Sequence, residues 1–158
     1  MRELPMQDTV VEIDRDEPFH DLEALAREVH KEYFHGETPI EVIWGKKITR
    51  RRRQSIRLGS YDYESRLIRI HPALDSPRVP AWFIQSIIFH EYLHHFLGPK
   101  HNRRFQRYER YFRYHRESKT WLKRFLPMLL GSRPLPMRDV HPRRAARSKA
   151  GPRQIALF

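Results

Sequence analysis

The segment His90-Glu91-Tyr92-Leu93-His94 places two histidines four residues apart, with a glutamate directly after the first one. In a helix, side chains at positions i and i+4 project from the same face, so both imidazoles can reach one ion. Glu91 would point about 100° around the helix, where it can act as a general base toward a metal-bound water. The H-E-x-x-H pattern therefore predicts a metal-dependent hydrolase. The alternative is a histidine-rich helix face that binds no metal.

A catalytic zinc site needs a third protein ligand and one open position. His101 follows His94 by seven residues, and the pair Gly98-Pro99 lies between them. Glycine followed by proline ends a helix, so the chain can turn back and bring His101 close to the first two histidines. We therefore predict that His90, His94 and His101 hold one Zn²⁺ per chain.

Other residue types compete for the third ligand position. Glu109 and Glu117 are carboxylates on the segment that follows, and either is an alternative to His101. His95 adjoins the motif but faces a different direction on a helix, so we expect it to lie outside the ligand set. The chain has no cysteine, which excludes thiolate ligands, disulfides and a cysteine nucleophile.

The surrounding periodicities predict an α+β domain. Apolar residues recur at helical spacing over residues 21–35, with Asp21 as a cap. Residues 39–44 alternate as a strand does, and residues 56–60 and 66–71 are predicted to form a hairpin around the turn YDYE. A long apolar helix begins at Ala81 and carries the histidine motif up to Gly98. Two further helices are predicted over residues 102–115 and 118–126.

Charge divides the chain into segments. Residues 1–40 carry 4 basic and 11 acidic side chains, a net charge of −7, whereas residues 41–158 carry 27 basic and 8 acidic side chains, a net charge of +19. After Gly131 the sequence is rich in proline and basic residues, which is typical of a disordered tail. We expect an acidic N-terminal segment (residues 1–18), a metallopeptidase domain (residues 19–130) and a flexible basic tail (residues 131–158).

The total charge of +12 indicates a polyanionic partner, with DNA as the leading candidate. The predicted phosphate contacts are the arginines of one internal run and of the tail: Arg50, Arg51, Arg52, Arg53, Arg143, Arg144 and Arg147. They offer charge without a pattern that reads bases, so binding should be weakly sequence-specific and should fall steeply with salt. The alternative is a basic surface that only confers solubility.

The last five residues read QIALF. They resemble the pentapeptide by which bacterial replication and repair proteins dock on the sliding clamp. The resemblance implies that Gln154 is anchored by hydrogen bonds and that Leu157 and Phe158 fill an apolar pocket, with Ile155 replacing the commoner leucine. The alternative is that this segment packs on the core as a last strand.

Residues 20–127 resemble the SprT-like zinc metalloproteases. The matching segments include EYFHG, IEVIWGKK, the hairpin region, IIFHEYLHH and GPKHNRRFQRYERYF. The resemblance implies a minimal zincin-like fold, a small antiparallel-type sheet beside the active-site helix. It also implies zinc ligation by His90, His94 and His101 and Glu91 as the catalytic base. The short spacing between His94 and His101 is closer to a compact related subfamily, some members of which resemble nucleotide-hydrolysing proteins.

These observations together predict a zinc-dependent endopeptidase that acts on proteins near DNA, including crosslinked ones. The alternatives are a metal-dependent hydrolase of another substrate, such as a nucleotide, and a non-enzymatic module that binds DNA or the clamp. No apolar run approaches the roughly 18 residues of a membrane span. The first residues lack a signal sequence. We therefore expect a cytoplasmic protein, with association with the nucleoid as an option.

Overall fold

The computed structural model of the protein describes residues 17–46 and 55–131. Within these residues the chain forms four α-helices and a three-stranded sheet, which confirms the expected α+β class. In chain order, the elements are α1 (Leu22–Tyr33), β1 (Glu41–Trp44), β2 (Gly59–Asp62), β3 (Leu67–Ile70), a short 3₁₀ turn (Pro72–Leu74), α2 (Ala81–Leu97), α3 (Arg103–Glu109) and α4 (His115–Leu129).

The first helix begins where its capping residue predicts. The Asp21 carboxylate accepts a hydrogen bond from the backbone N–H of Ala24 at 2.9 Å, which satisfies one of the free donors of the first turn. The helix buries one apolar face, formed by Leu22, Ala26, Val29 and Tyr33. It ends two residues before the predicted limit at His35, close to Gly36, which adopts a φ of 94°.

The sheet is mixed, which corrects the antiparallel arrangement expected from the resemblance. Strands β2 and β3 form the predicted antiparallel hairpin, but β1 pairs with β3 in parallel, with Glu41 opposite Leu67. The strand order is therefore β1-β3-β2. Because β2 occupies one edge of β3 as its hairpin partner, β1 reaches the other edge through a long connection, and a long connection allows parallel pairing.

The hairpin turn lies later in the chain than predicted. Tyr61 and Asp62 belong to β2, although the sequence pattern assigns them to the turn. The Asp62 carboxylate accepts the backbone N–H of Glu64 at 3.0 Å, so its side chain begins the reversal at this position. Arg66 completes the turn with a φ of 52°.

The histidine motif lies on the central helix of the fold. Helix α2 packs against α1, α3, α4 and both strands of the hairpin. A helix covered on most sides is apolar around most of its circumference, and α2 buries Phe83, Ile84, Ile88, Phe89, Tyr92 and Leu93. The Tyr92 hydroxyl also accepts the backbone N–H of Ile40 at 2.9 Å, which joins α2 to the residue before β1.

The boundary between the last two helices lies at a different position from the one predicted. Helix α3 ends at Glu109 rather than near His115, and α4 begins at His115 rather than at Ser118. Phe112, between the two helices, turns into the core and packs against Phe89. The backbone N–H of Arg113 donates to the Tyr33 hydroxyl at 3.0 Å. These tertiary contacts replace the helical hydrogen bonds that would join α3 to α4.

No helix within the described residues is long and apolar enough to cross a membrane. The core of the described residues is one cluster, to which all four helices and the sheet contribute. The acidic segment and the basic tail lie outside the described residues except for residues 17, 18 and 131, so these two segments stay predictions.

Candidate metal centre

Three imidazoles converge at the end of α2. His90 and His94 project from one face of the helix, and their Nε2 atoms are 3.2 Å apart. The Nε2 atom of His101 lies 3.0 Å from that of His90. All three side chains offer a nitrogen within 4.8 Å of the others, so they lie close enough to bind one metal ion. We refer to these three residues as the histidine cluster.

The chain reverses between His94 and His101 because of Gly98. This residue has a φ of 84° and a ψ of −174°, a region that is accessible essentially to glycine alone. Four residues later, the Asn102 side chain accepts the backbone N–H of Phe105 at 2.9 Å and begins α3. His101 is therefore held between a helix stop and a helix start.

A buried phenylalanine packs against all three imidazoles of the histidine cluster. The ring of Phe105 is fully buried, and its centroid lies 5.0, 4.7 and 4.8 Å from those of His90, His94 and His101. Aromatic pairs at such separations are favourable in edge-to-face and tilted geometries. The contact restricts the rotation of all three imidazoles and so holds their nitrogen atoms together.

The outward ring nitrogens determine the tautomers of two histidines. His94 Nδ1 donates to the carbonyl oxygen of Gly98 at 2.9 Å, and His90 Nδ1 donates to the Glu109 carboxylate at 2.8 Å. A neutral imidazole that donates from Nδ1 carries its lone pair on Nε2. Two lone pairs that face each other repel unless a cation lies between them. The arrangement of these nitrogens is thus one that could accommodate a metal ion.

Partial desolvation favours the neutral form of two of the histidines. Desolvation lowers the pKa of His94, and the neighbouring His90 adds to this effect although the bond to Gly98 opposes it. Desolvation and the proximity of His90 also lower the pKa of His101. Metal ligation requires neutral imidazoles, so a lowered pKa extends the binding-competent form to lower pH.

Glu109 contacts the cluster from outside. Its Oε1 atom accepts from the His90 nitrogen that faces away from the other histidines, and its Oε2 atom lies 3.4 Å from Lys119 Nζ. Burial opposes ionisation of Glu109, but the hydrogen bond and charge of His90, with Lys119, outweigh it and lower its pKa to about 2. Glu109 therefore orients His90, and the structure brings neither Glu109 nor Glu117 into the cluster.

Glu91 is buried beside the cluster, with 5% of its surface exposed. Desolvation raises the pKa of its carboxyl group, although the charge of His90, Arg57 and the backbone N–H of Tyr61 favour the ionised form. The carboxylate lies against β2 at Gly59, where an added Cβ would lie 2.8 Å from Glu91 Oε1. Only glycine allows the strand to approach the Glu91 side chain this closely.

His95 lies outside the histidine cluster, as expected. Its Nδ1 atom is hydrogen-bonded to the Tyr61 hydroxyl at 2.5 Å, on the side of α2 that faces the sheet. Nearby, the Tyr63 hydroxyl donates to the carbonyl oxygen of His94 at 3.1 Å. These contacts connect the end of α2 to the hairpin and so position the helix turn that carries His94.

A cavity of about 420 Å³ opens beside the cluster. Its lining combines the histidine cluster, Glu91 and Glu109 with apolar side chains of α2, α4 and the segment that leads into β2. The histidine cluster and the Glu91 side chain therefore share one cavity.

The structure brings together the residues predicted for the metal centre: His90, Glu91, His94 and His101. The predicted DNA contacts (Arg50, Arg51, Arg52, Arg53, Arg143, Arg144 and Arg147) and the predicted clamp-binding residues (Gln154, Ile155, Leu157 and Phe158) lie outside the described residues. The sequence pattern did not identify Gly59 or Ser118. A glycine inside a strand is a signal of close backbone approach, whereas Ser118 lines the cavity through tertiary packing alone.

Comparison of the chain with protein-family models, with curated proteins and with solved structures finds no match.

Proposed function

We propose that this protein is a zinc-dependent endopeptidase with a SprT-like, zincin-type active site formed by the histidine cluster and Glu91. One observation carries the proposal: three imidazole Nε2 atoms converge in a cavity that a buried glutamate also lines. Zn–N bonds of about 2.0–2.1 Å with tetrahedral angles separate ligand nitrogens by about 3.3–3.4 Å. The observed separations of 3.0 and 3.2 Å are close to this value.

The protein residues have separate roles in the proposed hydrolysis. Zinc, when bound, supplies a Lewis acid that polarises a carbonyl group and makes water more acidic. Glu91 accepts the proton of the attacking water and delivers it to the leaving amine. Its raised pKa brings the carboxyl group closer to the pH at which it must both accept and release a proton. Glu109 holds His90 in the tautomer that ligation requires.

A polyanion near the site is the second part of the proposal. Helix α3 and the turn after it expose basic side chains next to the histidine cluster: Arg103, Arg104, Arg107 and Arg110. Residues 100–124 contain 10 basic and 2 acidic side chains. Such a surface attracts a phosphate backbone without reading its bases. We propose that the substrate is a protein bound or crosslinked to DNA.

Hydrolysis of a nucleotide is the second candidate function. Arg57 and Lys119 line the cavity and are both exposed, so they can reach a phosphate group at its mouth. This reading predicts Glu91-dependent release of phosphate or pyrophosphate. A non-enzymatic DNA- or clamp-binding module instead predicts that Glu91→Gln changes no function, whereas deletion of residues 154–158 abolishes clamp binding.

The first test is the zinc content of the purified protein, measured by inductively coupled plasma mass spectrometry. We expect about one zinc ion per chain in the wild type and much less in His101→Ala. His35→Ala is the matched control, because it removes a described histidine that lies outside both the cluster and α2. Zinc retained by His101→Ala would contradict the three-histidine site. No zinc in the wild type would overturn the enzyme proposal.

The second test is cleavage of an unfolded protein, with and without DNA. We expect wild-type cleavage and a loss of at least about 100-fold in Glu91→Gln, within the range of general-base contributions, at unchanged zinc content. Cleavage that rises with DNA and falls with salt would support the DNA part of the proposal. Release of phosphate from nucleotides without protein cleavage would favour the second candidate.

A further inference from the structure

The cavity continues past the catalytic residues into the space between α2 and α4. Phe83 and Ile87 of α2 line this part from one side, and Leu122 of α4 lines it from the other. Phe112 closes it below the cluster and is itself buried. We call this part of the cavity the apolar arm.

A serine on α4 leaves room for the apolar arm. The buried face of α4 begins with a serine at position 118 and continues with the large side chains of Trp121, Phe125 and Leu129. Trp121 packs closely on Phe83, with ring centroids 4.2 Å apart, so the two helices are in contact one turn further along α4. At Ser118 the small side chain leaves the space unfilled, which creates the cavity wall.

The Ser118 hydroxyl lacks the contact that a buried serine usually makes. Only 8% of the residue is exposed, and Oγ has no hydrogen-bond partner among the described residues. A serine inside a helix commonly bonds to the carbonyl group four residues earlier. A buried unsatisfied hydroxyl is unfavourable, so serine is an uncommon residue at a position that an apolar side chain could fill. A bound group explains the unfilled space, because a larger residue at position 118 would occupy it.

We propose that the apolar arm binds an aromatic or other large apolar side chain of a polypeptide substrate, adjacent to the bond held at the histidine cluster. The inference rests on the proposed peptidase function and adds the class of residue that the enzyme selects. The occupant's backbone lies at the Glu91 end of the cavity, and its side chain extends between α2 and α4 toward Ser118.

The polarity of the arm favours a side chain over a nucleobase. Ser86, the other serine in the lining, already donates to the carbonyl oxygen of Phe83 at 2.6 Å. The charged residues Arg57 and Lys119 are exposed. A nucleobase buried there would lose several hydrogen bonds to water and regain few, which is unfavourable for each group left unpaired. An aromatic ring loses none.

The test is a pair of peptides that differ only at the residue beside the cleaved bond, after cleavage sites in an unfolded protein have been mapped by mass spectrometry. We expect large apolar residues to be enriched on one side of the mapped bonds. We expect kcat/KM for the phenylalanine peptide to exceed that for the alanine peptide by at least about tenfold, the usual range for filling an apolar pocket. Ser118→Leu fills the arm and should reduce this ratio to near one.

Two further variants distinguish the effect of side-chain volume at position 118 from the effect of the hydroxyl group, and they provide a control for misfolding. Ser118→Ala removes only the oxygen atom and should retain most of the phenylalanine preference. Leu122→Phe narrows the arm from a second position on α4 and should reduce the preference as Ser118→Leu does. Thermal unfolding shows whether each variant is folded. If Ser118→Leu does not fold, the effect of Leu122→Phe on the phenylalanine preference tests the proposal.

The outcomes distinguish this inference from the proposed function. Glu91-dependent cleavage without a side-chain preference, or with a preference that neither filling variant changes, would overturn the apolar arm and leave the peptidase proposal standing. Absence of any Glu91-dependent peptide cleavage would overturn both.

Discussion

His90 donates from Nδ1 to the Glu109 carboxylate at 2.8 Å, across 19 residues of sequence. The contact joins the end of α3 to the middle of α2 and leaves His90 Nε2 directed at His94 and His101. A carboxylate behind a metal-binding imidazole selects the ligating tautomer and increases its basicity. Glu109 therefore contributes to the site from the side opposite to the one that a ligand would occupy.

Replacing Glu109 should weaken metal binding without removing a ligand. We expect Glu109→Ala to reduce zinc affinity by about 10–100-fold, the usual effect of losing such a partner. Competition with a chromophoric chelator measures this change. Glu117→Ala is the control, because Glu117 lies on the next helix and does not line the cavity. Equal affinities for the two variants would show that Glu109 does not orient His90.

Gly59→Ala should impair catalysis more than metal binding. An added Cβ would lie 2.7 Å from Ile87 Cγ2 and 2.8 Å from Glu91 Oε1, so the Glu91 carboxylate must move. A displacement of about 1 Å can cost about 100-fold in rate. We expect a loss of that order in peptide cleavage at unchanged zinc content.

Gly45→Ala is the matched control for the Gly59 variant. At Gly45 the nearest atom to an added Cβ is the carbonyl oxygen of Ile70 at 3.4 Å, which is an ordinary contact. This variant should therefore keep wild-type cleavage. A fully active Gly59→Ala protein would contradict the close approach of β2 to Glu91.

Removing the cap of α3 should affect both stability and metal affinity. Asn102 caps the helix directly after His101, and loss of such a cap costs about 0.5–2 kcal/mol. Because the cap also determines the position of His101, the residue before it, relative to α3, we expect Asn102→Ala to lower zinc affinity. Asp21→Ala removes the equivalent cap of α1 and should destabilise the protein to a similar extent with unchanged zinc affinity. Chemical unfolding and chelator competition measure the two effects.

The buried Glu91 carboxyl should make the metal-free protein less stable as the pH rises. Desolvation raises its pKa above the usual 4.5. Below that pH the carboxyl group is protonated in both the folded and the unfolded chain, so it does not make the free energy of unfolding depend on pH. At higher pH the unfolded chain loses the proton first, so the free energy of unfolding decreases.

Glu91→Gln removes this penalty, and chemical unfolding in the presence of a chelator measures the effect. The variant should be more stable than the wild type at pH 7, and the difference should narrow as the pH falls below 4.5. Equal stability of the two proteins across this range would contradict the burial of an ionised Glu91.

Local features of the chain determined much of the site in advance. The spacing of His90 and His94 predicts their common face because a helix has a fixed period. Gly98 and Pro99 predict a helix end, since helix termination depends on a few adjacent residues, and the end of α2 at Leu97 confirms it. The positions of α1, α2 and the hairpin follow from periodicity, with errors of a few residues at their ends.

Tertiary structure decided the features that depend on distant contacts. The parallel pairing of β1 with β3 and the division of α3 from α4 at Phe112 arise from packing between elements far apart in sequence. The position of Glu109 behind His90 and the space left by Ser118 have the same origin. The periodicity of apolar residues specifies which face of a helix or strand a residue occupies. The element that packs against that face is determined only by the packing of the complete core.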